Sequence, residues 1–305
     1  MSDALPLFLK GLAMGAANVI PGVSGGTIAL ITGIYERLIN AIKRCDISAA
    51  KLLLKGNVKG FWQHIDGRWL FILMAGVAIS IVSLAKLFEY LLEHHERYTM
   101  AFFFGLIVLS IVFVAKRVDQ WNTSSIASLL VGTAIAISIA MLAPASENDG
   151  AFYVFLCGVF AISSMILPGL SGSFVLILMG NYALVLGAIS SLAFDILIPL
   201  AIGCGFGLIA FSHILSWVFK RCPNQTLALM TGFVIGSLVV IWPWKNAITK
   251  TVERVGKPPR EVVTSYEWFM PLLQDASTWI AIGLMLLGAI AIALMEYVAG
   301  EPAND

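Results

Sequence analysis

Asn18-Val19-Ile20-Pro21-Gly22-Val23-Ser24-Gly25-Gly26-Thr27 is the stretch from which the fold can be read. It lies inside an apolar run from Leu5 to Ile42, yet it cannot be continuous helix. Pro21 removes a backbone donor and clashes with the preceding turn, and Gly22, Gly25 and Gly26 loosen the next one. The flanks, Gly11 to Ile20 and Thr27 to Ile42, remain apolar enough for hydrocarbon. Backbone that leaves a helix at membrane depth is tolerated only where it lines a cavity or is buried in protein. The break is therefore a candidate site.

The same break returns 147 residues later as Ile166-Leu167-Pro168-Gly169-Leu170-Ser171-Gly172-Ser173. The register holds on both sides: Gly11 matches Gly158, Gly33 matches Gly180, Tyr35 matches Tyr182, and Ala41-Ile42 match Ala188-Ile189. This pattern predicts an internal duplication with one broken helix in each half.

Composition sets the class. Only 12% of the 305 residues are charged and 59% are hydrophobic, whereas a soluble domain carries roughly 25% charged residues. The chain reads as an integral membrane protein. A net charge of +1 gives no footprint for nucleic acid. Without a basic leader or an Ala-x-Ala site, no cleaved signal peptide is expected. Cys45, Cys157, Cys204 and Cys222 lack Cys-x-x-Cys spacing and suggest neither disulfides nor a metal site.

The first broken segment, 5–42, is followed by a basic linker, 43–68, and by spans at 69–92, 99–115 and 124–142. The second half repeats the order with a broken segment at 151–191 and spans at 194–219, 227–244 and 279–298. About 20 apolar residues cross a bilayer, so each run is long enough or nearly so. Gly76 falls on Gly203, Gly105 on Gly232 and Ser110 on Ser237 at a second offset, and Val131-Gly132 matches Leu287-Gly288 more loosely. The stretch Lys245–Asp275 reads as a polar loop inserted in the second half. The expected fold is an all-α polytopic membrane protein of two repeats, 1–142 and 143–305. Each combines a broken, re-entrant helical hairpin with three transmembrane helices.

Lys and Arg in short loops set orientation. The linker 43–68 and Lys116-Arg117 would be cytoplasmic; Glu93–Arg97 and Ser146–Asp149 would be external. If each broken segment enters and leaves on one side, each half has three full spans. The halves are then inverted, with Lys220-Arg221 in the cytoplasm. A single crossing per broken segment would make the halves parallel, and two short crossings would keep the inverted parity. The inverted reading leaves Lys245–Arg260 outside, against the charge rule. Ten residues from Gly11 to Ile20 make roughly 15 Å of helix, half a bilayer, which favours re-entry. Inverted repeats with broken helices near the midplane are an architecture of secondary transporters.

After each Pro-Gly the chain restarts a helix, at Ser24-Gly25-Gly26-Thr27 and at Ser171-Gly172-Ser173. A helix N-terminus presents unpaired N–H groups and partial positive charge, which suits an anion. Ser24, Thr27, Ser171 and Ser173 add hydroxyls, and the glycines allow close approach. The structural alternative is that small residues only let helices pack. Arg37 is the first candidate for a phosphate partner. Glu36, Glu89 and His213 are candidates for proton coupling, although snorkelling or packing also accounts for such residues. His94-His95 between Glu93 and Glu96 reads as solvated loop, and Trp242-Pro243-Trp244 as an interfacial anchor.

Gly15-Ala16-Ala17-Asn18-Val19-Ile20-Pro21-Gly22-Val23-Ser24-Gly25-Gly26-Thr27, Gly33-Ile34-Tyr35-Glu36 and Leu167-Pro168-Gly169-Leu170-Ser171-Gly172-Ser173 together resemble the bacterial polyprenyl-phosphate transporter family, PopT. Phe102-Phe103-Phe104-Gly105-Leu106 and Thr231-Gly232-Phe233 extend the likeness across the chain. The resemblance implies flipping of undecaprenyl phosphate across the bacterial cytoplasmic membrane, so that the carrier is reused in cell-wall synthesis. Asn18, Pro21, Gly22, Ser24, Gly25, Gly26, Thr27, Pro168, Gly169, Ser171, Gly172 and Ser173 would then form the substrate site, with Arg37 assisting. No cofactor or metal is implied. A proton or sodium gradient is the candidate driving force, and the sequence carries no signal for an oligomeric state.

Two other readings stand beside it. Undecaprenyl-pyrophosphate phosphatases share re-entrant repeats and a Pro-Gly-x-Ser-Arg-Ser-type loop, but Gly25-Gly26 and Gly172-Ser173 stand where that loop carries arginine and its neighbour. Hydrolysis also needs a base beside the serines, and none is evident. A secondary transporter of a small soluble anion is the third reading.

Overall fold

The computed structural model describes residues 4–19, 24–142, 145–254, 257–272 and 274–299. Pro21 and Gly22 therefore lie outside the described residues. The chain opens with α1 (Ala4–Val19), α2 (Gly25–Ile31) and α3 (Tyr35–Lys43), continues through α4 (Ile47–Leu54) and α5 (Val58–His64), and then enters α6 (Gly67–Ala115) and α7 (Thr123–Ala140). The second half contains α8 (Ala151–Ile166), α9 (Gly172–Leu178), α10 (Tyr182–Ser191), α11 (Phe194–Arg221) and α12 (Pro223–Ile241), then strands β1 (Lys245–Arg254) and β2 (Lys257–Trp268), then α13 (Ala276–Ala299).

Among the described residues, five helices are long and apolar enough to cross a membrane, or up to seven if two bent pairs each count as one span. Their outer faces carry aliphatic and aromatic side chains such as Phe206, Leu286, Ile290 and Leu294, all exposed. Such surface is stable in lipid and not in water. This is a multi-pass membrane protein.

The local geometry of the two halves is alike. Ser24 (φ −118°, ψ 147°) and Ser171 (φ −113°, ψ 137°) are extended N-caps whose hydroxyls accept the N–H groups of Thr27 and Phe174, each at 3.2 Å. Such caps are worth about 1 kcal/mol each. Each seven-residue helix then ends at a glycine in the left-handed region, Gly33 or Gly180, both at φ 74°. A Cβ would be strained there, which explains why these two glycines hold the same register.

Close helix approaches are built on glycine pairs. Gly11 on α1 meets Gly76 on α6, and Gly158 on α8 meets Gly203 on α11. The remaining pairs cross between the halves: a Cβ at Gly105 on α6 would press on the Met285 carbonyl of α13, and one at Gly288 on the Phe102 carbonyl. Gly132 on α7 and Gly232 on α12 likewise each face backbone of the other helix. Small residues at such crossings let membrane helices pack by backbone contact.

Three expectations change in detail. The link at Glu93–Tyr98 is not a loop: α6 consists of two helices that meet there directly at a kink, at His95 (φ −138°, ψ 35°). The linker 43–68 folds into α4 and α5, capped by Asp46 and Asn57 through the Ala49 and Gly60 N–H groups. Lys245–Asp275 is not an irregular loop, since β1 and β2 form an antiparallel hairpin with register irregularities at Ile248/Thr249 and Val252/Arg254. The fold is mostly helical rather than strictly all-α. Hydropathy marks that stretch as polar but does not reveal the strand pairing.

Candidate functional site: two interlocked helix breaks and a basic cavity

The breaks after α1 and α8 touch each other. The Ser24 hydroxyl donates to the Leu167 carbonyl at 3.2 Å, and the Gly169 N–H donates to Thr27 Oγ1 at 2.8 Å. The Tyr35 hydroxyl reaches across to the Ile166 carbonyl at 2.9 Å. Gly26 lies flat against the same segment, so that an added Cβ would sit 2.5 Å from the Ile166 carbonyl oxygen. Ser24 and Thr27 are buried, at 2% and 0% exposure. Pro168 and Gly169 are buried too, and Gly169 takes φ 80°, where an added Cβ would sit 2.6 Å from the Phe233 carbonyl oxygen.

The two breaks are not chemically equivalent. Asn18 Oδ1 accepts the Gly25 N–H at 2.7 Å, satisfying the first amide of α2. The matching position in the second half is Met165, whose thioether packs over Gly172 instead. Ser171 and Ser173 bond to one another at 2.8 Å, and Ser173 is exposed. The first-half hydroxyls are thus turned into the partner loop, while the second-half pair keeps an open face. An arrangement of hydroxyls and amides at low dielectric can receive an anion without a buried cation.

Glu36 and Arg37 are not gathered with the breaks. They line a cavity of about 980 Å³ at the far end of α2, with Asp66, Arg44, Lys116, Arg117 and Asn224 on its walls. Arg37 is held by Asp66 at 2.8 Å and lies 5.0 Å from the centre of the Trp69 ring. The Arg117 guanidinium donates to the Ile31 carbonyl at 2.6 Å and packs against Gly33, while Lys10 donates to the Thr32 carbonyl at 2.9 Å. Cations at a helix C-terminus answer its unpaired carbonyls and negative dipole end. Tyr35 joins the two regions, since it lines the cavity and its hydroxyl reaches the break.

Sequence reasoning missed Arg44, Lys116, Arg117 and Asn224 as site residues. Lys116-Arg117 was legible only as a basic loop. The cavity also draws in the start of α12, where the Asp119 N–H donates to Asn224 Oδ1 at 3.0 Å, next to Lys220-Arg221. Three basic segments distant in sequence therefore meet at one end of the bundle.

The coupling candidates are scattered. Glu36 faces the cavity and is exposed. His213 makes a bond within its own helix, Nδ1 to the Ile209 carbonyl at 2.9 Å. Glu89 falls within α6, with its side chain outside the described residues. Among the described residues no group of three or more His, Cys, Asp or Glu could hold a metal ion.

At the opposite end from the basic cavity, Lys245 is largely enclosed between the end of α12 and the hairpin. Its ammonium donates to the Val240 carbonyl and lies 4.5 Å from the centre of the Tyr266 ring. Desolvation pushes its pKa down to about 8, opposed by the nearby Glu96 carboxylate.

The comparisons with known proteins extend over most of this architecture. The family model described as "VCA0040-like: Undecaprenyl phosphate translocase-like" matches residues 14–258. The chain is 41% identical over 292 residues to a polyprenyl-phosphate transporter of Vibrio cholerae, covering 95% of each. It is 34% identical over 265 residues to a polyprenyl-phosphate transporter of Staphylococcus aureus, covering 77% of this chain and 85% of the relative. No solved structure matches it.

Proposed function

The chain belongs to the undecaprenyl phosphate translocase-like family, and from that membership we propose that it flips undecaprenyl phosphate from the outer to the inner leaflet of the bacterial cytoplasmic membrane. The carrier lipid then returns to cell-wall synthesis. The observation that carries this reading is identity to curated transporters along nearly the whole chain, 41% over 95% of it. It is a transporter and not a hydrolase in this reading. The hydroxyls nearest the breaks, Ser24, Thr27, Ser171 and Ser173, are bonded to each other or to backbone, with no base among these partners.

The substrate phosphate is held at the paired breaks by Asn18, Ser24, Gly25, Gly26, Thr27, Gly169, Ser171, Gly172 and Ser173, with Pro168 enforcing the second turn. The two repeats, 1–142 and 143–305, are inverted. Supporting this, the Gly33 turn lies against Arg117 at the end of α6, whereas the Gly180 turn lies against residues 145–146, beyond the far end of α7. The basic end faces the cytoplasm, following the positive-inside rule. A proton or sodium gradient drives net movement, with Glu36, Glu89 and His213 as the residues to test.

The experiment uses purified protein in liposomes with labelled undecaprenyl phosphate in one leaflet, and separately assays phosphate release from the pyrophosphate form. Exchange without release, abolished in Ser24→Leu and in Ser171→Leu while both variants still insert, is expected. Phosphate release would move the protein to the phosphatases. Normal exchange by both variants would remove the breaks from the site.

A further inference from the structure

We propose that the cavity at the basic end is a second docking site on the lipid's path, where Arg44 and Lys116 bind the phosphate monoester headgroup of an isoprenoid lipid. The inference rests on the transport reading and adds a station to it. Its basis is the way charge and apolar surface are divided in this one cavity.

Four cations, Arg37, Arg44, Lys116 and Arg117, line it together with three carboxylates, Glu36, Asp66 and Asp119. Two of the cations already have defined tasks, since Arg37 is paired with Asp66 and Arg117 holds the end of α2. Arg44 and Lys116 remain at the exposed rim, with Lys116 resting over the Phe113 ring at 5.7 Å. A phosphate monoester carries about −1.5 to −2 charges near neutral pH, so two cations match it where one would not. Apolar lining comes from Phe113, Phe219 and Leu227. That lining suits the first isoprene unit attached to the phosphate and gives a free phosphate ion nothing. The volume, about 980 Å³, is at the upper end of the range for small-molecule pockets.

The position fits a station on one path. The cavity and the breaks lie at the two ends of α2, whose seven residues span roughly 10 Å. That is about a third of the hydrocarbon thickness. Tyr35 touches both places. A headgroup leaving the breaks toward the basic end therefore has this cavity next on its way.

The test measures binding of farnesyl monophosphate to purified full-length protein in nanodiscs, with inorganic phosphate as competitor, alongside leaflet exchange of labelled undecaprenyl phosphate. The double variant Arg44→Gln/Lys116→Gln is expected to weaken farnesyl monophosphate binding at least about tenfold, the loss of a charge-assisted bond. Exchange should slow with it. The charge-keeping variant Arg44→Lys/Lys116→Arg, folded to the same melting temperature, should recover most of the affinity, which a merely structural role for the two side chains would not require. Unchanged binding and exchange in the double Gln variant, with wild-type exchange intact, overturns the docking site and leaves the transport reading standing. Competition by inorganic phosphate at the same concentration as farnesyl monophosphate overturns the lipid as occupant. Absence of exchange in the wild type overturns the transport reading, and the lipid station falls with it.

Discussion

Gly25 and Gly26 are adjacent, alike in sequence and both buried, yet alanine should affect them very differently. A Cβ at Gly26 would lie 2.5 Å from the Ile166 carbonyl oxygen and 3.1 Å from that of Met165. Ordinary contact begins at 3.4 Å, so the two breaks must separate by about 0.9 Å. Both obstacles are backbone and cannot rotate away. Overpacking of this kind costs about 1–3 kcal/mol. The same movement stretches the Thr27–Gly169 bond from 2.8 Å and the Ser24–Leu167 bond from 3.2 Å toward rupture. Each buried bond adds about 1 kcal/mol, giving about 3–5 kcal/mol for Gly26→Ala. At Gly25 the obstacle is the Asn18 side-chain amide at 2.8–2.9 Å, which can swing aside for the loss of one hydrogen bond, about 1 kcal/mol. Thermal unfolding in detergent, followed by tryptophan fluorescence, should place Gly26→Ala several degrees below Gly25→Ala, with leaflet exchange lost in Gly26→Ala. Equal melting temperatures, or a Gly26→Ala protein that exchanges lipid normally, would refute direct contact between the breaks.

Two further outcomes are tied to particular positions. Gly288→Ala and Gly105→Ala should each cost about 1–3 kcal/mol by forcing α13 from α6, whereas Gly283→Ala, on α13 with open space around it, should stabilise by about 0.5–1 kcal/mol; denaturation midpoints of the three variants distinguish these signs. Lys245 loses its proton at about pH 8 in the folded chain and near its ordinary 10.5 unfolded. Between those values the unfolded state binds more protons, so stability should rise with pH across that window, by about 3 kcal/mol in full. Lys245→Met should flatten the rise and be more stable than wild type at pH 7, as unfolding midpoints measured from pH 7 to 10.5 would report.

The likeness between the halves was legible because it is written in local rules. A proline removes a donor wherever it stands, a serine before a helix caps it, and a left-handed turn selects glycine, so Ser24 with Ser171 and Gly33 with Gly180 carry their geometry in their identity. The hairpin β1–β2 was not legible, because its residues are polar and lack an alternation that would set them apart from a loop. The kink at His95, which joins two helices without a loop, was hidden for a similar reason: Glu93 to Tyr98 is charged and aromatic, which marks an interface without showing how short the break is.

By itself, then, the sequence determined the membrane class, the two breaks and the family, all properties of neighbouring residues or of summed hydropathy. Only the tertiary structure decided that Ser24 and Thr27 spend their hydroxyls on Leu167 and Gly169. It alone decided that Gly105 meets α13 and Gly132 meets α12, across the halves. It also moved Arg37 away from the breaks to Asp66, and brought Arg44, Lys116 and Arg117 to one cavity from segments more than 70 residues apart. The physical reason is that a backbone dihedral is chosen by the residue that owns it. A contact between distant helices is chosen by how closely two whole backbones can approach, and that depends on every side chain between them.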